Sequence, residues 1–227
     1  MNNTLRKNNS GLSLNCAVIP FYNEEKTIGE ITEKTLSFVD FVICIDDGST
    51  DDSLKKIPQS ENVFVLKNNF NYGKGYSIKK GFEKSIELKT QFTITLDADF
   101  QHPPEFIPAF IEKLNNADIV VGNRLNDLSR MPFQRILSNK ITSKLLSIKT
   151  GKKIIDSQCG FRAFKTEILK LILPSFKGFE AESEVLVKAA SHNLKMEFIN
   201  IPTIYGEEKS KMRPLQTING FIKVLFS

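Results

Sequence analysis

Two carboxylates one residue apart, Asp97 and Asp99, close the apolar run Phe92-Thr93-Ile94-Thr95-Leu96, and Gln101 continues the spacing with a neutral oxygen. Alternate residues of extended chain share a face, so these three side chains can turn toward one divalent cation. Oxygen-only donors suit Mg2+ or Mn2+, and such sites usually leave positions open for substrate phosphates. The natural companion is a diphosphate whose departure the cation assists. The plain alternative is an exposed turn capping a helix that Pro103 begins.

Other residues of the same chemical kind stand at comparable places. Asp46-Asp47 follow the apolar run Phe41-Val42-Ile43-Cys44-Ile45, Lys74 lies between Gly73 and Gly75, and Arg124 follows Asp118-Ile119-Val120-Val121-Gly122-Asn123. Between Arg124 and Lys153 there are eight Lys or Arg residues against one acid, Asp127, which points to an anionic partner.

The elements needed to position these groups are legible from periodicity and punctuation. Strands are expected at Leu14–Ile19, Phe41–Ile45, Val63–Leu66, from Phe92 to the acidic tip, at Asp118–Val121 and at Met196–Ile201. Helices are expected from Glu24, capped by Asn23, to Phe38, and over Tyr76–Leu88, Pro103–Asn115 and Phe179–Ser191, with a last one opened by Pro214. Asp156 to Phe164 reads as a turn into a strand that returns to the sheet. Strands alternating with helices imply an α/β fold, a mainly parallel sheet with helices on both faces. Such sheets bind ligands outside the carboxyl ends of their strands, where one crevice can collect Tyr22, Asp47, Lys74, Asp99 and Arg124. Met131–Lys149 interleaves apolar and basic residues as an amphipathic helix or helix pair. It either covers the sheet with a solvated polar face or lies on anionic lipid.

At 227 residues, with 41% hydrophobic and 25% charged content and a net charge of +5, the chain fits a single soluble α/β domain. Residues 1–12 read as a flexible polar lead, 125–155 as an amphipathic, acceptor- and membrane-facing segment, and 214–227 as a terminal helix. No run of eighteen apolar residues spans a membrane. Cys16, Cys44 and Cys159 lack metal-type spacing and read as reduced core residues of a cytoplasmic protein. His102 and His192 read as turn or surface residues, and no nucleic-acid partner is expected.

Taken together, Ile19 to Glu25, Asp46 to Asp51, Asn71 to Gly75, Asp97 to Glu105, Gly122-Asn123-Arg124, Asp156 to Arg162 and Tyr205 to Lys211 resemble the family 2 glycosyltransferases of the GT-A fold. The resemblance runs from Cys16 to Met212 and is nearest to the dolichol-phosphate and polyprenyl-phosphate sugar transferases. It implies that Pro20, Tyr22, Glu24 and Asp47 hold the nucleoside, with Ile45, Lys74 and Ala98 also on the donor side. Asp97, Asp99 and Gln101 surround the metal, and Arg124 lies near donor or acceptor phosphate. Arg135 and Ser138 fall where relatives place acceptor-phosphate contacts, with a mutual spacing about one residue off the family pattern. Ser210 and Lys211 belong to a loop that closes over the donor.

The implied reaction is inverting transfer of a mannose- or glucose-type sugar from a nucleotide diphosphate to a polyprenyl or dolichyl phosphate, at the cytosolic membrane face. Thr203-Ile204-Tyr205 lacks the arginine that some mannosyltransferases carry there. A hydroxyl acceptor would need a general base, for which Asp156 or Glu182 is the choice, and the enzyme would then elongate a glycan. A nucleotidyltransferase is disfavoured because Pro20 to Glu24 replaces a glycine-rich loop. A non-enzymatic membrane-surface module is the third alternative.

Overall fold

The structure, a computed structural model, describes residues 14–128, 131–204 and 214–226. Ser210 and Lys211 lie outside the described residues. The strands are β1 (Asn15–Phe21), β2 (Phe41–Asp46), β3 (Val63–Lys67), β4 (Phe92–Thr95), β5 (Ile119–Asn123), β6 (Arg162–Lys165) and β7 (Met196–Asn200). The helices are α1 (Ile28–Leu36), α2 (Ser53–Lys56), α3 (Lys74–Glu87), α4 (Ile107–Leu114), α5 (Phe133–Thr150), α6 (Leu169–Ile172), α7 (Ala181–Ser191) and α8 (Pro214–Phe226). Short 3-10 turns precede α4 and α6.

The strands form one sheet in the order β3-β2-β1-β4-β6-β5-β7. All are parallel except β6, which runs antiparallel between β4 and β5. The chain order reverses on either side of β1, between β2 and β4, and that switch opens a crevice at the carboxyl edge. The antiparallel strand has a specific effect there. Its first residue, Arg162, stands opposite Thr95 and Val121, so the segment leading into β6 arrives at the same edge as the tips of β4 and β5.

The central strands are buried because both faces are covered, and β1 and β2 are almost wholly apolar. Val18, Ile43 and Ile45 lie beneath α3, whose Gly81 has no room for a side chain against Val18 and Ile45. Ile45, expected at the donor site, has no exposed surface and is a core residue.

Local starts differ from the expected ones for identifiable reasons. Asn23 does not cap a helix at Glu24. It adopts a left-handed conformation (φ 53°), its N–H donates to Ser49 Oγ at 2.9 Å and its Oδ1 accepts from Thr50 N at 2.8 Å, so the loop is stitched to the neighbouring strand tip and α1 starts at Ile28. Pro103 stays extended because Pro104 follows it, and α4 begins only after a 3-10 turn. The three thiols are buried and unpaired with one another, and burial pushes Cys44 and Cys159 up to about 12.

Candidate active site

The loops after β1, β2, β4 and β5 meet at the carboxyl edge, and two polar networks hold them there. The first starts at Asp47. Its carboxylate is buried and accepts from Asn68 Nδ2 (2.8 Å), Tyr72 N (3.0 Å) and Gly73 N (2.8 Å). An acid expected to face a nucleoside thus spends its oxygens on the loop that delivers Lys74. Gly73 has φ 104°, and its Cα packs on the Lys177 carbonyl, which in turn accepts from Gly75 N at 2.7 Å.

Lys74 opens α3 and reaches across to β4 and α7. Its Nζ lies 2.5 Å from Asp97 Oδ1 and 2.8 Å from Glu182 Oε1. Burial alone would lower the lysine's pKa, but the two carboxylates outweigh it and hold the ammonium charged. Asp97 is the mirror case: burial raises it, and Lys74 above all brings it well below the usual carboxylate range. Lys74 is therefore a partner of the acidic motif, which its spacing in the sequence did not show.

The motif itself departs from extended geometry. The strand ends at Thr95, and Phe100 takes φ 59°. Asp99 Oδ1 accepts from Gln101 N at 3.1 Å, an Asx-type turn, so the motif leaves the strand as a turn and strand alternation does not set the directions of its three oxygen-bearing side chains. Asp97, Asp99 and Gln101 are each half-buried, while Ala98 between the acids is buried.

His102, read as a turn or surface residue, is fully buried. Its Nδ1 accepts from Asp97 N at 3.0 Å, and its ring lies 5.5 Å from that of Phe161. Burial is the main cause that lowers its pKa to about 4, so the imidazole is neutral and positions the Asp97 backbone. No local sequence signal separates such a histidine from an exposed one.

The second network holds Arg124. Its Nε and Nη2 donate to Asp156 Oδ2 (3.0 Å) and Oδ1 (3.1 Å), and its backbone N donates to Oδ2 at 3.1 Å. Asp156 has no exposed surface and accepts further from Asn139 Nδ2 of α5 at 2.6 Å. Thr203 Oγ1 ties down the Arg124 carbonyl at 2.7 Å. The guanidinium is fixed in orientation, and its charge reaches Asp97. Arg162, wholly within the protein, joins the two networks by donating to the carbonyls of Ser157, Cys159 and Glu182.

Tyr22 and Glu24 stand half-buried in the loop after β1, and Pro20 is half-buried near the end of β1 beside Ile45. Arg135 is half-buried and Ser138 exposed on the first turns of α5, where Ser138 Oγ accepts from Gln158 Nε2 at 3.3 Å. Ser138 is linked to Arg124 through Gln158 and Asp156.

The profile described as Glycosyl transferase family 2 matches residues 16–173. The chain belongs to glycosyl transferase family 2. A UDP-N-acetylglucosamine–dolichyl-phosphate N-acetylglucosaminyltransferase of Methanococcus voltae is 31% identical over 228 residues, covering 90% of each chain. An undecaprenyl-phosphate 4-deoxy-4-formamido-L-arabinose transferase of Edwardsiella ictaluri is 31% identical over 217 residues, 89% of this chain and 64% of that one. Among solved structures, glucosyl-3-phosphoglycerate synthase of Mycobacterium tuberculosis, crystallised with Mn2+, uridine diphosphate and phosphoglyceric acid, superposes with a TM-score of 0.74 at 17% identity, over 94% of this chain and 78% of that one. The fold of this family 2 glycosyltransferase is GT-A.

The ion pair in this glycosyltransferase makes a pH prediction. Burial alone would raise Asp156, but the Arg124 charge and the hydrogen bonds from Arg124 and Asn139 hold it below the ordinary carboxylate range. Folding therefore favours its ionised form, and its contribution is full above the unfolded value of about 3.9 and fades as pH falls through the lower folded value. Asp156→Asn is expected to cost roughly 3 kcal/mol near neutrality. The gap in melting temperature from wild type should close on acidification below about pH 4; a gap that stays constant would mean that Asp156 is not ionised in the fold.

Proposed function

We propose that this glycosyltransferase moves a sugar from a nucleotide diphosphate sugar onto the phosphate of a polyprenyl or dolichyl phosphate, working peripherally at the cytosolic membrane face. One observation carries the lipid part: α5 is inside out. Its inner face is largely polar, with Asn139 and Ser143 buried and Ser143 and Ser147 bonded to Ser157 and Ile154. Its outer face carries Phe133, Leu137, Ile141, Leu145 and Ile148 in one exposed stripe, flanked by exposed Lys140, Lys144 and Lys149. α8 packs beside α5, Lys149 Nζ reaching the Leu225 carbonyl at 2.8 Å, and adds exposed Ile222 and Phe226. Apolar side chains ringed by lysines suit an anionic bilayer surface. No described helix is long and apolar enough to cross it.

The acceptor chemistry agrees. Asp156 and Glu182, the carboxylates considered as bases for a hydroxyl acceptor, are each buried and paired, with Arg124 and Lys74. A phosphate acceptor is already ionised near neutrality and needs no base. The relatives named for transfer to dolichyl phosphate and undecaprenyl phosphate support the same acceptor class.

Asp97, Asp99 and Gln101 fit Mg2+ or Mn2+: all three supply oxygen, within one turn, at the edge where the strand tips converge. When bound, the cation would neutralise charge on the departing diphosphate. Arg124, held in plane by Asp156, would balance charge on the donor or acceptor phosphate, and Pro20, Tyr22 and Glu24 line the loop on the nucleoside side. Arg135 and Ser138 would orient the acceptor phosphate, and Ser210 and Lys211 would close over the donor. The test is transfer of label from UDP- and GDP-linked sugars to polyprenyl phosphate with Mn2+ or Mg2+. Cation-dependent label in the lipid phase is the expected result; donor hydrolysis without lipid product would remove the lipid-phosphate acceptor.

A further inference from the structure

Lys74 is 15% exposed and sits between two carboxylates that share one wall. Gly160 is that wall: a Cβ there would stand 2.9 Å from both oxygens of Asp97 and 2.9 Å from Glu182 Oε1. Any larger residue would push the acids apart, and without the ammonium they would repel one another at close quarters. Summed, Asp97, Lys74 and Glu182 carry one negative charge, and the only cation within contact of the Asp97 carboxylate among the described residues is Lys74.

A free divalent cation approaching Asp97 therefore meets an ammonium already bonded to one of the oxygens it needs. We propose that Lys74 is a built-in counter-ion for Asp97 that weakens binding of the free divalent cation, so that the cation enters together with the nucleoside diphosphate, whose own charge offsets the lysine. The inference rests on the reading that Asp97 and Asp99 hold the cation. The loop that delivers Lys74 is fastened to Asp47 through Tyr72 N and Gly73 N, immediately before the lysine, which fixes where the ammonium sits. Glu182 has the complementary part of drawing the ammonium partly away from Asp97.

The experiment is calorimetric titration of the full chain with Mn2+ alone, then with Mn2+ in the presence of UDP or GDP. Wild type is expected to bind Mn2+ weakly alone and tightly with the nucleotide. Lys74→Met should tighten binding of Mn2+ alone by about tenfold or more, because a full charge at ion-pair distance has been removed. The double variant Lys74→Met/Glu182→Gln keeps the local charge sum of wild type while removing the pairing, and it answers the same question should the single variant fold poorly. Tighter Mn2+ binding in it supports the proposal; binding equal to or weaker than wild type overturns it. Asp99→Ala separates this from failure of the underlying reading. If Asp99→Ala leaves Mn2+ binding unchanged, the cation is not held at this turn; if it abolishes binding while the lysine variants match wild type, only the role of Lys74 falls.

Discussion

Asp99→Ala is expected to lower turnover by about a thousandfold while leaving the fold intact, whereas Asp97→Ala should lose both turnover and stability. The two acids are one residue apart and chemically identical, and their surroundings differ. Asp99 is half-buried on a turn, where its Oδ1 accepts from Gln101 N. Removing a half-buried turn carboxylate is expected to cost about 1 kcal/mol of stability. Asp97 neutralises a lysine that is almost enclosed, so its loss leaves an ammonium with Glu182 alone. That costs about 2 kcal/mol, below the full range for a broken buried pair because one partner survives. Melting temperature and label transfer, measured on both variants, check the pair. Equal melting temperatures would mean that Lys74 does not depend on Asp97, and retention of turnover in Asp99→Ala would remove that residue from the chemistry.

The second large effect concerns α5. The double variant Leu137→Glu/Ile141→Glu should lower partitioning onto vesicles containing anionic phospholipid by about a hundredfold, since each of these side chains loses about 1.5 kcal/mol or more of burial in the bilayer surface. Both residues are 49% exposed, so folded-state stability should change by less than about 0.5 kcal/mol. Transfer to a short, water-soluble isoprenyl phosphate should persist in this variant. Unchanged vesicle binding would assign the stripe to some other partner, and loss of activity on the soluble acceptor would mean that the helix does more than dock.

What the sequence revealed of this molecule depended on how local each signal was. The acids at the tips of β2 and β4, the arginine after β5 and the parallel alternation were legible because each depends on a few contiguous residues. The inward face of α5 was not legible. Periodicity shows that a helix has two faces, but the choice between them was made by Asp156, Ser157 and Ile154, remote segments that offer hydrogen bonds to Asn139, Ser143 and Ser147. His102 was misread, and the partners of Lys74 were missed, for a related reason. A buried histidine accepting an amide proton, or a lysine shared by two acids, is defined by residues 5 to 108 positions away, and its own neighbours look like any polar turn. Asp156 and Glu182 likewise looked like candidate bases until their partners were in place.

The placement of β6 has a consequence for how the chain comes to be folded at all. β3, β2, β1 and β4 are complete by residue 95, yet the far side of β4 is paired only by residues 162–165. A nascent chain that has emerged as far as α4 therefore carries half a sheet ending in an unpaired strand of aromatic and β-branched residues, the kind of edge that recruits another chain. Its acidic tip is already present at that stage, but Glu182, the second anchor of Lys74, is not yet made. The open edge is closed by residues 162–165 and the pocket by Glu182 soon after, so the interval in which this protein is most prone to aggregate ends shortly before its active site becomes possible.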